Sequence, residues 1–152
     1  MTHPLVRLLA GAATFFVLVG GAPAPAQAGP AYDYASSAFK ATNERRADHG
    51  RVKLTRGDCL QRYARQQATR MANQRRMYHQ DLGPVLRACG MRMVGENVAY
   101  GYPNGRAVVR GWMNSSGHRA NILKPEYRRM GLAARKGSDG RWYACQVFGR
   151  KA

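Results

Sequence analysis

Acids are scarce in this 152-residue chain, which carries 25 Lys+Arg against 8 Asp+Glu, so a carboxylate inside an apolar stretch stands out. Glu96 lies in VGENVAY, flanked by Val94 and Val98. A glutamate buried there must be paired or shift its pKa. Taken alone it is either tied to the backbone amides of a turn or part of a site. His79 and His118 lie on either side of it, in segments that read as loops. Imidazole is both a general base near neutral pH and the commonest metal ligand. No H-E-x-x-H or similar local spacing joins the two, so each by itself is as readily a surface or packing histidine. Together with Glu96 they could hold a metal-bound water and activate it by general-base chemistry, which would make a hydrolase. Ser115 and Ser116 beside His118 could mimic a Ser–His pair, but no Asp is placed to orient the imidazole. His49 falls at a helix C-terminus, where partial positive charge is favourable.

The elements that must position these groups are legible in part. Residues 29–33 read as a short leader, and Tyr34 to His49 as a helix closed by Gly50. In the next helix Asp58 is the expected N-cap, and Leu60, Tyr63, Ala64, Gln67, Ala68, Met71 and Ala72 recur at helical spacing as one buried stripe. Arg62, Arg65, Gln66 and Arg70 take the opposite, solvated face. Residues 75–83 form a polar loop holding His79. Pro84 is expected to start a short helix that stops at Gly90. GENVAYG at 95–101 reads as a short extended piece. Asn104 caps a helix in which Val108, Trp112 and Ser115 share a face, ending near Gly117, with HRANIL able to add one more turn. RMGLAAR and RWYACQVF are two strand-like runs joined by KGSDG, a hairpin signal, and the nearly continuous second run suits a strand covered on both faces. Helices first and a hairpin last predict an α+β fold.

The N-terminus reads differently. Arg7 precedes an uncharged stretch with its apolar heart at residues 8–19, ending in Ala26-Gln27-Ala28, an A-x-A cleavage pattern. Residues 1–28 are therefore expected to be a cleaved signal peptide; the apolar part is too short and too interrupted by Gly and Pro for a retained anchor. His3 goes with it. The predicted organisation is signal peptide 1–28, leader 29–34 and one domain over 35–150, secreted and monomeric. The full chain's net charge is +17, and so basic a protein is drawn to anionic surfaces such as wall polymers and acidic lipids. No helix-turn-helix, RNP or finger spacing is present, so specific nucleic-acid recognition is not expected. Three cysteines fit an oxidising compartment, and C-x-x-C is absent.

Several ordered motifs together resemble the CAP superfamily, the family of cysteine-rich secretory, antigen 5 and pathogenesis-related proteins (the SCP domain). They are GENVAYG, then GWMNSSGHRANIL, then MGLAAR…GRWYACQVFG, with ATNERRADHG and RMANQRRMYHQ upstream. The resemblance covers about residues 35–149, and SSGHRANIL is similar to the bacterial branch. It implies an α-β-α sandwich with a small antiparallel sheet. It also implies a cleft with two histidines and two glutamates, which by motif fall on His79, Glu96, His118 and, for the second glutamate, Ser115. A serine cannot supply that charge, so this chain departs from the family's full set of four at Ser115. Ser115 and Asn97 are expected to line the cleft. Cys145, inside WYACQVF, is expected to be buried and free, which pairs Cys59 with Cys89. The functional expectation is a secreted cleft-type binding module for a lipid-like ligand, an anionic envelope component or a weakly bound divalent cation such as Zn²⁺. The alternatives are a metal-dependent hydrolase or peptidase using His79, Glu96 and His118, and an electrostatic adhesin for anionic wall polymers.

Overall fold

A computed structural model describes residues 29–151; the expected signal peptide and its cleavage site lie outside the described residues. Among the described residues, five helices and four strands follow in the order α1 (Pro30–Asp48), β1 (Thr55–Arg56), α2 (Asp58–Gln74), α3 (Leu82–Ala88), β2 (Met91–Tyr100), α4 (Gly105–Asn114), α5 (Ser116–Leu123), β3 (Arg129–Lys136) and β4 (Trp142–Lys151). The sheet order is β1-β3-β4-β2, so β2 and β1 form its edges. β4 pairs antiparallel with both β3 and β2, while β1 pairs parallel with β3. The expected antiparallel sheet is thus a mixed one. The two-residue β1 carries no hydrophobic pattern of its own and could not be read from the sequence.

Both faces of the sheet are covered. Along β4, Tyr143, Cys145 and Val147 join the layer of α2 and α3 around Leu60, Ala64, Ala68, Met71 and Val85. The alternate residues Ala144 and Phe148 join the layer of α1, α4 and α5 around Ala38, Val108, Trp112 and Ile122. This is why RWYACQVF shows no polar alternation. The α2 stripe is buried as its spacing requires, at Leu60, Ala64, Gln67, Ala68, Met71 and Ala72, with Tyr63 half-buried. A side chain on Gly131 would run into the backbone of Leu60 and Gln61, so the start of α2 rests directly on β3.

Several boundaries differ from expectation. The leader is the first turn of α1, with Pro30 at the position where a missing N–H costs nothing and Asp33 in the first turn. The N-cap of α2 is Gly57, not Asp58, and the Gly57 carbonyl accepts from the Gln61 N–H at 2.8 Å. α3 begins two residues before Pro84 because the Asp81 side chain accepts the Gly83 N–H at 2.9 Å. β2 starts at Met91, well before the GEN motif. Asn104 caps α4 as expected, accepting from the Ala107 N–H at 2.9 Å. The break then falls at Ser115, and α5 is two turns long, so His118 is helical and not on a loop.

Two devices fasten the layers. Cys59 and Cys89 are disulfide-bonded with Cα atoms 5.6 Å apart, and Cys145 is buried and free. The bond ties the first turn of α2 to the chain entering β2, and closing a loop of this length stabilises by about 3–4 kcal/mol. Arg46 of α1 is fully buried. Its guanidinium donates to the carbonyls of Val52, Ile122, Lys124 and Tyr127 at 2.8, 2.7, 2.9 and 3.4 Å, clamping the C-terminal end of α5 to α1.

Candidate functional site: a cleft at the β2 edge

The loop after α2 carries His79 to the sheet. Arg75 takes a left-handed φ of 51° and ends the helix. Gln67 donates to the Tyr78 carbonyl at 2.6 Å, and the Arg70 guanidinium donates to the Gln80 side-chain oxygen at 3.4 Å. His79 and Gln80 then close over Glu96, whose side chain is 1% exposed. Glu96 Oε1 lies 2.8 Å from His79 Nδ1 and accepts the Gln80 N–H at 3.2 Å. Oε2 accepts from the Gln80 side-chain amide and from the Cys145 thiol, the latter at 3.3 Å. The carboxylate is paired, as its burial demands, by an imidazole, a backbone amide and two side chains. Beside it, burial and then the Glu96 charge push the Cys145 thiol well up, so the thiol stays protonated. A carboxylate only accepts, so Nδ1 of His79 carries a proton toward Glu96, and Nε2 sits on the far side of a ring 61% exposed.

α5 is attached to the same strand from the other side. Asn121 donates to the Glu96 carbonyl and to Asn97 Oδ1, both at 3.0 Å. Asn97 Nδ2 donates to the His118 carbonyl and to Gln146 Oε1, both at 3.2 Å, and Gln146 donates in turn to Thr42 of α1 at 2.8 Å. One residue along the edge, Trp112 donates to the Val98 carbonyl at 3.2 Å. Asn97 is therefore not a cleft-lining residue: it is fully buried and holds the backbone of α5. A side chain on Gly95 would strike the Tyr127 hydroxyl and crowd Asn121, so the glycine of GEN sets the close approach of α5 to β2.

His118, on α5, lies within electrostatic reach of His79 past the β2 edge. The His118 pKa is lowered below the ordinary 6.5, first by burial and then by the charge of His79. A cavity of about 280 Å³ beside them is lined by Met77, Tyr100, Tyr102, Trp112, Ser115 and His118, among others, but not by His79, Glu96 or Asn97. Of the residues singled out in the sequence, His79 contacts Glu96 directly, His118 lies within reach of the His79 charge, and Ser115 lines a cavity together with His118. The sequence reading missed Gln80, Asn121 and Gln146, amide residues whose partners lie 16 to 104 positions away. Among the described residues, no three His, Cys, Asp or Glu side chains are grouped so as to hold a metal ion.

A fold of helices around a mixed sheet, with a buried GEN glutamate held by His79 and a second histidine on the helix that covers the same edge, defines the class. The chain belongs to the cysteine-rich secretory protein (CAP) family, whose sequence profile matches residues 39–148. YkwD of Bacillus subtilis is 30% identical over 106 residues, 65% of this chain and 41% of its own length. An extracellular SCP-domain protein of Bacillus anthracis superposes with a TM-score of 0.69 at 26% identity, covering 80% of this chain and 41% of that one. This chain thus spans well under half of the length of both. NaASP2, solved with Zn²⁺, shares the fold at a TM-score of 0.55 and 12% identity, over 84% of each chain. Among the described residues no helix is long and apolar enough to cross a membrane.

Proposed function

We propose that this is a secreted binding module whose β2-edge cleft holds a divalent cation weakly between His79 and His118 and takes an apolar ligand beside it. The observation that carries the reading is the Nδ1 contact of His79 with the buried Glu96 carboxylate. That pairing fixes the tautomer and directs the other ring nitrogen outward, as carboxylates do behind metal-bound histidines. His118, held below the ordinary histidine value, is neutral and able to ligate near pH 7. Two imidazoles supply half of a tight zinc set, so water completes the coordination and the ion exchanges readily. Met77, Tyr100, Tyr102 and Trp112 give the adjoining cavity an apolar, aromatic lining suited to a lipid-like body.

The donor set favours binding over hydrolysis. Both Glu96 oxygens are engaged and its side chain is buried, which suits a residue that positions His79 and not one that takes a proton from water. Secretion rests on the A-x-A pattern ending at Ala28 together with the extracellular Bacillus anthracis relative. Calorimetric titration of Zn²⁺ into the folded protein tests the reading. The expected result is weak binding, lost in His79→Ala and in His118→Ala, and fading in acid as His118 protonates below the ordinary histidine value. Unchanged binding in both variants removes the metal site. A chelator-sensitive peptidase or esterase activity lost in Glu96→Gln establishes the hydrolase reading instead.

A further inference from the structure

The opposite edge of the sheet carries a second concavity, remote in the fold from the histidines. β1 covers β3 only at Arg129 and Met130. Beyond it, α1 and α2 stand apart over β3 and enclose a hollow of about 300 Å³. Three guanidiniums line it from three different elements: Arg56 of β1, Arg65 of α2 and Arg135 of β3. No Asp or Glu is among the lining residues. Among the described residues, none of the three arginines is in an ion pair. Arg56 is held in place by stacking over the Phe39 ring at 5.3 Å.

The floor has its own polarity. Gln61 acts as a substitute strand for Leu132, donating to its carbonyl at 2.8 Å and accepting its N–H at 3.0 Å. Backbone groups alternate along a strand, so Ala134, two residues on, aims its N–H and C=O at the same edge, into the hollow. Ser36 and Thr69 add hydroxyls to the walls.

From these features we infer that the hollow is a binding site for a polyol-phosphate chain, a polymer of hydroxylated units joined by phosphodiesters. Guanidinium forks match phosphate oxygens bidentately. The hydroxyls between phosphates meet the Ala134 donor and acceptor and the Ser36 and Thr69 side chains. A second, shallower hollow shares Arg65 and Thr69 and continues to Arg70, so the basic track runs on for a repeating anion. The recessed shape favours a linear polymer over a flat bilayer, which reaches protruding groups more easily than a hollow floored by alanines. This site is independent of the histidine cleft.

The test measures binding of poly(glycerol phosphate) at physiological salt to the full secreted protein, to Arg65→Gln/Arg135→Gln, and to the charge-matched Arg92→Gln/Arg110→Gln. All four positions are exposed, and circular dichroism checks that the variants fold. The groove variant is expected to lose about tenfold or more in affinity, as removal of two charge-assisted contacts should do, while the control changes about twofold or less. Equal losses in the two variants mean diffuse attraction to a basic surface and overturn the site, as does absence of binding by the unsubstituted protein. Phosphatidylglycerol vesicles and free glycerol phosphate are run in parallel. Groove-dependent binding to vesicles without binding to the polymer assigns the surface to lipid headgroups and overturns the polymer. Zn²⁺ binding stays intact in the groove variant, so failure here and failure of the cleft are told apart.

Discussion

The two edges of the sheet solve one problem with different materials. An edge strand exposes unpaired amides and carbonyls that invite another chain. On the β3 side, after a two-residue parallel strand, a single glutamine satisfies both the N–H and the C=O of Leu132. On the β2 side, Asn121 and Trp112 take the carbonyls of Glu96 and Val98. The β3 edge is bordered by α2 and by arginines whose charge does not change near neutral pH. The β2 edge is bordered by α5, whose His118 is held below the ordinary histidine value by burial and by the charge of His79. Edge protection is therefore common to both edges, whereas a titratable group on the covering helix, the ligand of the proposed metal site, belongs to the β2 edge alone.

The largest expected effect falls on the clamp that anchors the helix covering the β2 edge. Arg46→Met keeps apolar bulk at a fully buried position but strips the partners from four carbonyls, two of them at the C-terminal end of α5. Urea unfolding should register a loss of about 3–5 kcal/mol. Native-state hydrogen exchange should show α5 losing protection while the amides of β3 keep theirs. A cost below about 1 kcal/mol would mean that water replaces the guanidinium and that α5 is held by other contacts.

A matched pair sharpens the contrast further. Gln61→Met and Asn121→Leu each delete an amide that makes two hydrogen bonds while leaving apolar volume in its place. Each should cost about 1–3 kcal/mol by chemical denaturation. Only Asn121→Leu should also weaken Zn²⁺ binding, since Asn121 and Asn97 together fix the helix that bears His118. Equal metal affinity in the two would show that His118 does not depend on its edge contacts.

The smallest effect is electrostatic. In metal-free protein, His118 should titrate below 6.5 by proton-detected imidazole resonances. His79→Ala should raise its value without restoring it fully, because burial is the larger cause and stays in place. The sign for stability follows from the depressed folded-state value. The unfolded chain binds the proton first as pH falls, so the contribution of His118 is present above its unfolded value and is lost as pH drops through the folded one. A value above 6.5 would place His118 in a setting unlike the half-buried one found here.

What was legible in the sequence follows from how local each signal is. The α2 stripe, the Asn104 cap and the closing hairpin rest on neighbours within a few residues, and they appear as read. The resemblance put His79 and Glu96 in one site, and the two are in contact, because motif order carries information that spacing alone does not. Asn97 illustrates the limit. Its place in GENVAYG points to the cleft, yet strand alternation turns it to the opposite face from Glu96, where it serves the backbone of α5. The break at Ser115 was misplaced for a similar reason. The helix is expected to run on to near Gly117, but it breaks at Ser115 and a second helix begins at Ser116, with Asn97 holding the His118 carbonyl. The parallel partner of β3 had no local signature at all, since two exposed residues gain their strand character from β3.

Arg46 gives this architecture a limit on portability. The stretch that identifies the family and displays the histidine, GENVAYG through SGHRANIL, is contiguous enough to be lifted as a cassette into another scaffold. Such a graft would carry His118 without the guanidinium that terminates its helix, because that group comes from α1, 76 residues before the Ile122 carbonyl it binds. A minimal version of the cleft therefore has to begin no later than α1, and a shorter transplant would keep the signature and lose the pose.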